Sequence, residues 1–192
     1  MDIKLMIQST PNPNALKFVL NVPVRTEGNV TYKKGDKCTY NPLAKAIFEI
    51  SNFIKEVYFF DNYLTVTQDG TADWDELEEK IRKIILADIE EHDPNFKLEE
   101  TNVKLSQPAT SAPQRPEVAQ INSILDETVR PALQMDGGDI QVVDYQNNTV
   151  KVFYQGACGS CPSSAMGTLK AVENILKDQF NPNVVVELAE NY

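Results

Sequence analysis

The chain has 192 residues, of which 42% are hydrophobic and 24% charged, and its formal net charge is −10. This composition is typical of a folded globular protein with one α/β domain or two small domains. It argues against nucleic acid and anionic membrane surfaces as partners, because a polyanion cannot neutralise phosphate groups.

The first residues predict a soluble cytoplasmic protein. They contain no apolar run of signal-peptide length, and Pro11 and Pro13 follow early. No later segment is apolar over the ~18 residues that a membrane-spanning helix needs. We therefore expect no membrane partner.

The first half of the chain, residues 1–100, is predicted to form an α+β domain. The expected elements are a strand at Ala15–Asn21, a helix at Pro42–Ile50 and two strands within Lys55–Thr67. A second helix is expected after Asp73, because acidic residues fill its first turn and apolar residues recur with helical spacing. These apolar residues are Leu77, Ile81, Ile84, Ile85 and Ile89.

Residues 101–115 are predicted to form a flexible, proline-rich linker. Small polar residues and prolines dominate the segment, which has too little apolar surface to offset the entropy cost of ordering. In an extended form, ~15 residues at roughly 3 Å per residue would span up to about 45 Å. We therefore expect two domains that reorient relative to each other.

The second half, residues 116–192, is predicted to be a small α+β domain with the element order α-β-β-α-β. Its first helix carries an apolar stripe from Val118 to Leu133 and is disturbed near its end by Pro131. A domain of this size gains stability from dimerisation or from a bound metal. The later elements are strands at Ile140–Tyr145 and Val150–Gln155 joined across Asn147-Asn148, a helix containing Met166 to Leu176, and a strand at Val184–Leu188.

The three cysteines of the chain cannot all pair with one another, which favours reduced thiols. Cys158 and Cys161 form a Cys-x-x-Cys motif between a predicted strand and a predicted helix. The helix dipole and the first backbone N–H groups favour thiolates there. Gly156 and Gly159 allow the backbone to close around a bulky anion, and one of the serines at 163–164 is expected to cap the helix.

The motif leaves three uses open: one edge of an iron–sulfur or metal site, a redox disulfide, or half of a zinc site. A zinc or iron–sulfur site requires four ligands, and this half of the chain has two cysteines and no histidine. The simplest completion is Cys158 and Cys161 from a second copy, around a cluster on a two-fold axis. A thiol–disulfide oxidoreductase and a zinc-stabilised interaction module are the alternatives. The first is disfavoured by Ala157, which occupies the place of the aromatic residue in thioredoxin-type sites.

Structural roles are predicted for the other notable polar residues. Cys38 is expected to be a small buried or half-buried filler rather than a ligand, and His92 to cap a helix end as a cation rather than to bind a metal. Asp136–Asp139 (DGGD) and Thr10–Asn14 (TPNPN) are interpreted as turns, the first in preference to an acidic metal loop. No catalytic triad, phosphate loop or acid/base pair is visible, so we expect a protein that is not an enzyme.

These residues resemble a known family. Met135–Lys177 is similar over nearly its whole length to the NifU C-terminal (Nfu) domain, with its DGGD turn, GACGSCPSS loop and TLK helix start. The first half resembles the domain that precedes it in many Nfu proteins. The matching segments there are TPNPNALKF at 10–18, NPLA at 41–44 and VYFFDNYLTVT at 57–67.

The resemblance implies a carrier that receives a [4Fe–4S] cluster at a homodimer interface. Upstream donors would supply this cluster, and apo iron–sulfur proteins would accept it. Cys158 and Cys161 would be the ligands from each copy. The N-terminal domain would act as a docking or targeting element.

Overall fold

The computed structural model describes residues 2–98, 115–159 and 162–189, with the backbone alone at 162–166. Within these ranges, no helix combines the length and the hydrophobicity that a membrane crossing needs.

Two units make up the chain, Met1–Ser106 and Gln107–Tyr192, and each has helices and a sheet of its own. The α+β class is therefore confirmed. Apart from Arg115, the predicted linker at 101–115 lies outside the described residues.

In its described residues, 2–98, the first unit packs two helices against an antiparallel five-stranded sheet with the order β1-β2-β5-β4-β3. The strands are β1 (Leu5–Ser9), β2 (Ala15–Leu20), β3 (Arg25–Lys33), β4 (Ile54–Asp61) and β5 (Tyr63–Gln68). The helices are α1 (Pro42–Ile50) and α2 (Trp74–Asp88). The predicted β2, α1, β4–β5 hairpin and α2 are confirmed.

Sequence reasoning missed the two edge strands of this sheet, β1 and β3. Strand β3 contains Gly28 in the left-handed region (φ 65°), and its pairing register shifts between Arg25 and Asn29. Such a bulge interrupts the alternation of apolar and polar residues on which strand prediction relies. Strand β1 is half-exposed and short, so its apolar signal is weak.

Both helices of the first unit begin at side-chain caps. Asn41 Oδ1 accepts a hydrogen bond from Ala44 N (3.0 Å), and Asp73 Oδ1 accepts one from Asp75 N (2.9 Å). These bonds satisfy N–H groups that the first turn of a helix leaves open. The helices then bury their apolar faces against the sheet, where the core is formed by residues that include Phe18, Val57, Phe59, Leu64, Ile47 and Ile81.

The second unit has a mixed three-stranded sheet in the order β6-β7-β8, with β6 and β7 antiparallel and β7 and β8 parallel. The elements are α3 (Pro116–Thr128), α4 (Arg130–Met135), β6 (Gly138–Gln146), β7 (Thr149–Gly156), α5 (Pro162–Gln179) and β8 (Val185–Leu188). The order from residue 115 to residue 189, where the structure describes the chain, is therefore α-α-β-β-α-β, with one helix more than predicted.

The extra helix results from a break at Val129. Pro131 lies in the first turn of α4, where its missing N–H group requires no partner. The proline thus starts a new helix rather than only disturbing the old one. The predicted β6–β7 turn is confirmed, with Asn147 and Asn148 at φ values of 50° and 61°.

Candidate functional site

Cys158 lies in a tight loop between the end of β7 and the start of α5. Gly156 has φ 61°, Gly159 N donates a hydrogen bond to Gly156 O (3.0 Å), and Ala157 N donates one to Gly137 O (3.1 Å). The Cys158 residue is only 7% exposed and packs into the core of the second unit. The loop therefore holds this cysteine against the protein body, just before the positive end of the dipole of α5.

Cys161, the second cysteine of the predicted pair, lies outside the described residues, as do the side chains at 163–164. The structure therefore leaves the Cys158–Cys161 pair as a prediction from the sequence. Cys38 belongs to the first unit, where it is half-buried against the core and its Sγ donates to Asp36 O at 3.7 Å. This placement agrees with the filler role predicted for Cys38.

The DGGD turn touches the cysteine loop. A Cβ atom added at Gly138 would lie 2.5 Å from Cys158 Sγ and 2.7 Å from Gln155 O. Only glycine fits there, because such distances are far inside van der Waals contact. The two glycines of the turn therefore have different roles. Gly137 adopts a positive φ (81°), whereas Gly138 allows the Cys158 sulfur and the Gln155 main-chain oxygen to approach the backbone.

The carboxylate of Asp139 is directed into the protein rather than arranged as a metal loop. It is buried, accepts a hydrogen bond from Ile140 N (2.7 Å) and lies 3.6 Å from Arg130 Nε. These contacts agree with the prediction of a structural turn. Local hydrogen bonds and a cation offset the cost of burying the charge.

Arg130 holds the turn in place, a role that sequence reasoning missed. Its side chain is 13% exposed, and its Nε donates to Ile140 O at 3.0 Å. Its Nη2 donates to Asn122 Oδ1 at 2.7 Å, and the guanidinium also pairs with Asp126. One side chain thus ties α3, α4 and β6 together beside the DGGD turn. The nearest sequence signal is the buried face of α3 and α4, which does not specify these partners.

Tyr154 is another residue whose role sequence reasoning missed. It lies on β7, on the same face as Val150 and Val152, and is 5% exposed. Among the described residues its buried hydroxyl has no hydrogen-bond partner. Burial, and then the nearby Cys158, raise the pKa of Tyr154 far above its ordinary value. The phenol is therefore a neutral donor, and burying an unsatisfied hydroxyl costs about 1–3 kcal/mol.

The role predicted for His92 is wrong. The imidazole Nε2 lies 2.8 Å from Val24 O, and the ring stacks on Phe59 with centroids 6.1 Å apart. Burial is the main cause that lowers the pKa of His92. The half-buried ring therefore packs beside the core and fixes the loop before β3, and desolvation opposes the cation that was predicted at the helix end.

The TPNPN segment forms the predicted rigid turn. Thr10 Oγ1 lies 2.9 Å from Asn12 O and 3.0 Å from Ala15 O, so these two carbonyl oxygens share its one proton, and Asn14 N donates to the buried Asn12 Oδ1 (2.9 Å). The indole of Trp74 donates to Pro13 O at 3.0 Å, which docks the turn against the start of α2.

Two family models match the chain in order. Residues 5–92 match the model described as "Scaffold protein Nfu/NifU N terminal", and residues 121–187 match the NifU-like domain. The two matches cover the first and second units of the fold, and the second includes the DGGD turn and both cysteines of the motif.

Curated relatives align over most of the chain. The mitochondrial NFU1 iron-sulfur cluster scaffold homolog of Drosophila persimilis is 32% identical over 90% of this chain and 60% of the relative. The mitochondrial NifU-like protein 4 of Arabidopsis thaliana is 33% identical over 90% of this chain and 61% of the relative. The chain thus spans about three fifths of the length of these relatives.

A solved structure also aligns with part of the chain. The solution NMR structure of a NifU-like protein from Saccharomyces cerevisiae is 23% identical and has a TM-score of 0.43. It covers 46% of this chain and 80% of its own.

These comparisons contradict the prediction of a cytoplasmic protein, because the aligned relatives are named as mitochondrial proteins. The prediction depended on the lack of an apolar signal-peptide run. Mitochondrial targeting segments are amphipathic and rich in arginine, so a search for apolar runs does not address them.

Proposed function

This chain belongs to the Nfu/NifU family of scaffold proteins, and from that premise we propose that it carries an iron–sulfur cluster as cargo. The family consists of scaffold proteins rather than enzymes. The proposed carrier receives a cluster from donor proteins, holds it at Cys158 and Cys161, and transfers it to apo-proteins.

The close approach of Gly138 to Cys158 is the observation that most supports this proposal. The thiol lies beside glycine backbone, where a single methyl group would come within 2.5 Å of Sγ. Gly159 is similarly restricted, because an added Cβ would lie 3.0 Å from Tyr154 O. The absence of a side chain at residue 138 makes room for the sulfur of Cys158, so the fold fixes the position of this proposed ligand.

A second feature of the site fits a cluster as well. The phenol of Tyr154 provides a buried donor near Cys158, and thiolates and bridging sulfides are hydrogen-bond acceptors. The start of α5 adds the positive end of a helix dipole, which favours the anionic form of the ligands.

The cluster is proposed to be shared by two copies of the chain. The second unit contains two cysteines and no histidine in its sequence, while a [4Fe–4S] cluster takes four thiolates. Two copies related by a two-fold axis would each supply Cys158 and Cys161. Such a cluster can leave when an acceptor's thiols replace those of the carrier, without unfolding either chain.

The N-terminal unit is proposed to dock the donors and acceptors. Its described residues form a hydrophobic core of their own. The net charge of −10 favours partners with a basic surface near their cluster site.

Anaerobic reconstitution with iron and sulfide tests the proposal. We expect a brown protein with one cluster per two chains, measured by visible absorption, iron and acid-labile sulfide, and by molecular mass before and after loading. Transfer is then followed as the activation of an apo iron–sulfur enzyme.

Two other outcomes would contradict the proposal. A colourless protein that retains zinc would indicate a zinc-stabilised interaction module. A reversible Cys158–Cys161 disulfide with reductase activity and no bound iron would indicate a thiol–disulfide oxidoreductase.

A further inference from the structure

Tyr154, near the end of β7, lies close to the loop that carries Cys158. The phenol belongs to the same buried cluster as Cys158, and the loop that carries the cysteine folds back over the backbone of Tyr154. The loop passes so close to this backbone that a Cβ at Gly159 would lie 3.0 Å from Tyr154 O. The backbone of residue 154 is therefore packed against the loop that carries Cys158, and the two side chains share one buried cluster.

The hydroxyl of Tyr154 is a hydrogen-bond donor without an acceptor among the described residues. It is buried and, in the part of the chain that the structure describes, makes no hydrogen bond. Buried polar groups in folded proteins are almost always paired, so an exception calls for an explanation. A hydroxyl retained in such a place is explained if its acceptor arrives with a ligand.

An iron–sulfur cluster would bring such acceptors. Hydrogen bonds to the sulfur atoms of a cluster stabilise it and tune its properties, as do other contacts around the ligands of a metal site. In the unloaded chain the same hydroxyl gains nothing from its position. The stabilisation would therefore appear only when the cargo is present.

We propose that the Tyr154 hydroxyl donates a hydrogen bond to the Cys158 thiolate or to an adjacent sulfide of the bound cluster and thereby slows release of the cargo. This inference rests on the proposed carrier function and adds a residue that sets how long the cluster stays bound. Tyr154 is not a ligand in this proposal, and loading itself does not require it.

The test compares full-length wild type, Tyr154→Phe and Tyr145→Phe. The control residue also carries a hydroxyl in the second unit, but its hydroxyl donates to Asn148 Oδ1 (3.3 Å) and accepts from Asn181 Nδ2 (3.4 Å). Each protein is loaded with iron and sulfide, and cluster loss to excess iron chelator is followed by visible absorption. Thermal unfolding of the unloaded proteins is measured in parallel.

We expect Tyr154→Phe to load fully and to release its cluster about tenfold faster, as the loss of a hydrogen bond to a charged acceptor predicts. The unloaded variant should unfold at the same temperature as wild type or a higher one, because it no longer buries an unsatisfied hydroxyl. Tyr145→Phe should show the reverse, with unchanged release and a lower unfolding temperature.

Resonance Raman spectra provide a readout that a purely structural role would not change. The iron–sulfur stretching bands of wild type should shift in D₂O, and Tyr154→Phe should lose part of this shift. Equal release rates and equal shifts in loaded wild type and Tyr154→Phe would overturn the inference while leaving the carrier function intact. A lower unfolding temperature for unloaded Tyr154→Phe would also overturn it. Failure of wild type to load would instead overturn the carrier function, and this inference with it.

Discussion

The backbone of Gly138 lies so close to the thiol of Cys158 that a methyl group at residue 138 would come within 2.5 Å of Sγ. The two residues are far apart in sequence but meet because Gly138 pairs with Gly156 across the β6–β7 hairpin. The DGGD turn and the cysteine loop are therefore one structural element. This relationship explains why the second glycine of the turn accepts no side chain.

Gly138→Ala is expected to lower the free energy of unfolding by about 1–3 kcal/mol, because overpacking forces neighbouring atoms to move. One of the colliding atoms is the main-chain oxygen of Gln155, which cannot rotate away as a side chain could. Iron loading should fall with stability. Urea denaturation and iron content after reconstitution measure the two effects.

Gly167→Ala is the matched control for this substitution. An added Cβ at Gly167 meets nothing within 4 Å, and the residue lies within α5. This change should stabilise the chain by up to ~1 kcal/mol, since alanine favours helix over glycine. Equal stability for both alanine variants would contradict the close contact at Gly138.

Cys158→Ala is expected to abolish cluster binding while both units stay folded, because the change removes a sulfur ligand from a loop. Iron and sulfide per chain after anaerobic reconstitution measure the loss, and circular dichroism monitors the fold. Cys38→Ala, a change at a half-buried cysteine of the first unit, should load like wild type. Full iron in the Cys158 variant would refute the assignment of this ligand.

Arg130→Met should destabilise the chain by roughly 3 kcal/mol, the lower end for breaking a buried ion pair, because Asp139 stays buried and loses its cation. The hydrogen bond to Ile140 O is lost as well. Guanidinium denaturation monitored by circular dichroism measures the change.

The control for Arg130 is Arg115→Met. Arg115 pairs with Asp144 at 2.6 Å, but the Arg115 side chain is half exposed, so this pair is expected to contribute only about 0–1 kcal/mol. If both variants lost the same free energy of unfolding, Arg130 would contribute no more than an exposed arginine. The role of Arg130 in holding the DGGD turn would then be wrong.

His92→Gln should reduce the dependence of stability on pH. Burial lowers the pKa of His92 in the folded chain, so the unfolded chain binds the proton more readily. The contribution of His92 to the free energy of unfolding is therefore fully present above pH ~6.5, the pKa of histidine in the unfolded chain. This contribution decreases as the pH falls below that value. The midpoint of urea unfolding is compared at about pH 7.5 and about pH 5.5. If the midpoint fell equally in wild type and variant between these two pH values, the prediction would be wrong.

Most of the fold was predictable from local patterns. Helices α1 and α2 carry their caps and apolar spacing in consecutive residues, and the β6–β7 turn is marked by Asn147-Asn148. The edge strands β1 and β3 escaped prediction because one is short and half-exposed and the other contains a register shift. A strand of either kind depends on its neighbour in the sheet more than on its own sequence.

Residues that are close together in the chain predict the α+β class, the Cys-x-x-Cys motif and the resemblance to Nfu domains. Folding brings Gly138 against Cys158, buries the unpaired hydroxyl of Tyr154 and stacks the ring of His92 on Phe59. These properties follow from contacts between distant segments. Strand register and helix packing set such contacts, and neither can be predicted from the local periodicity of apolar residues.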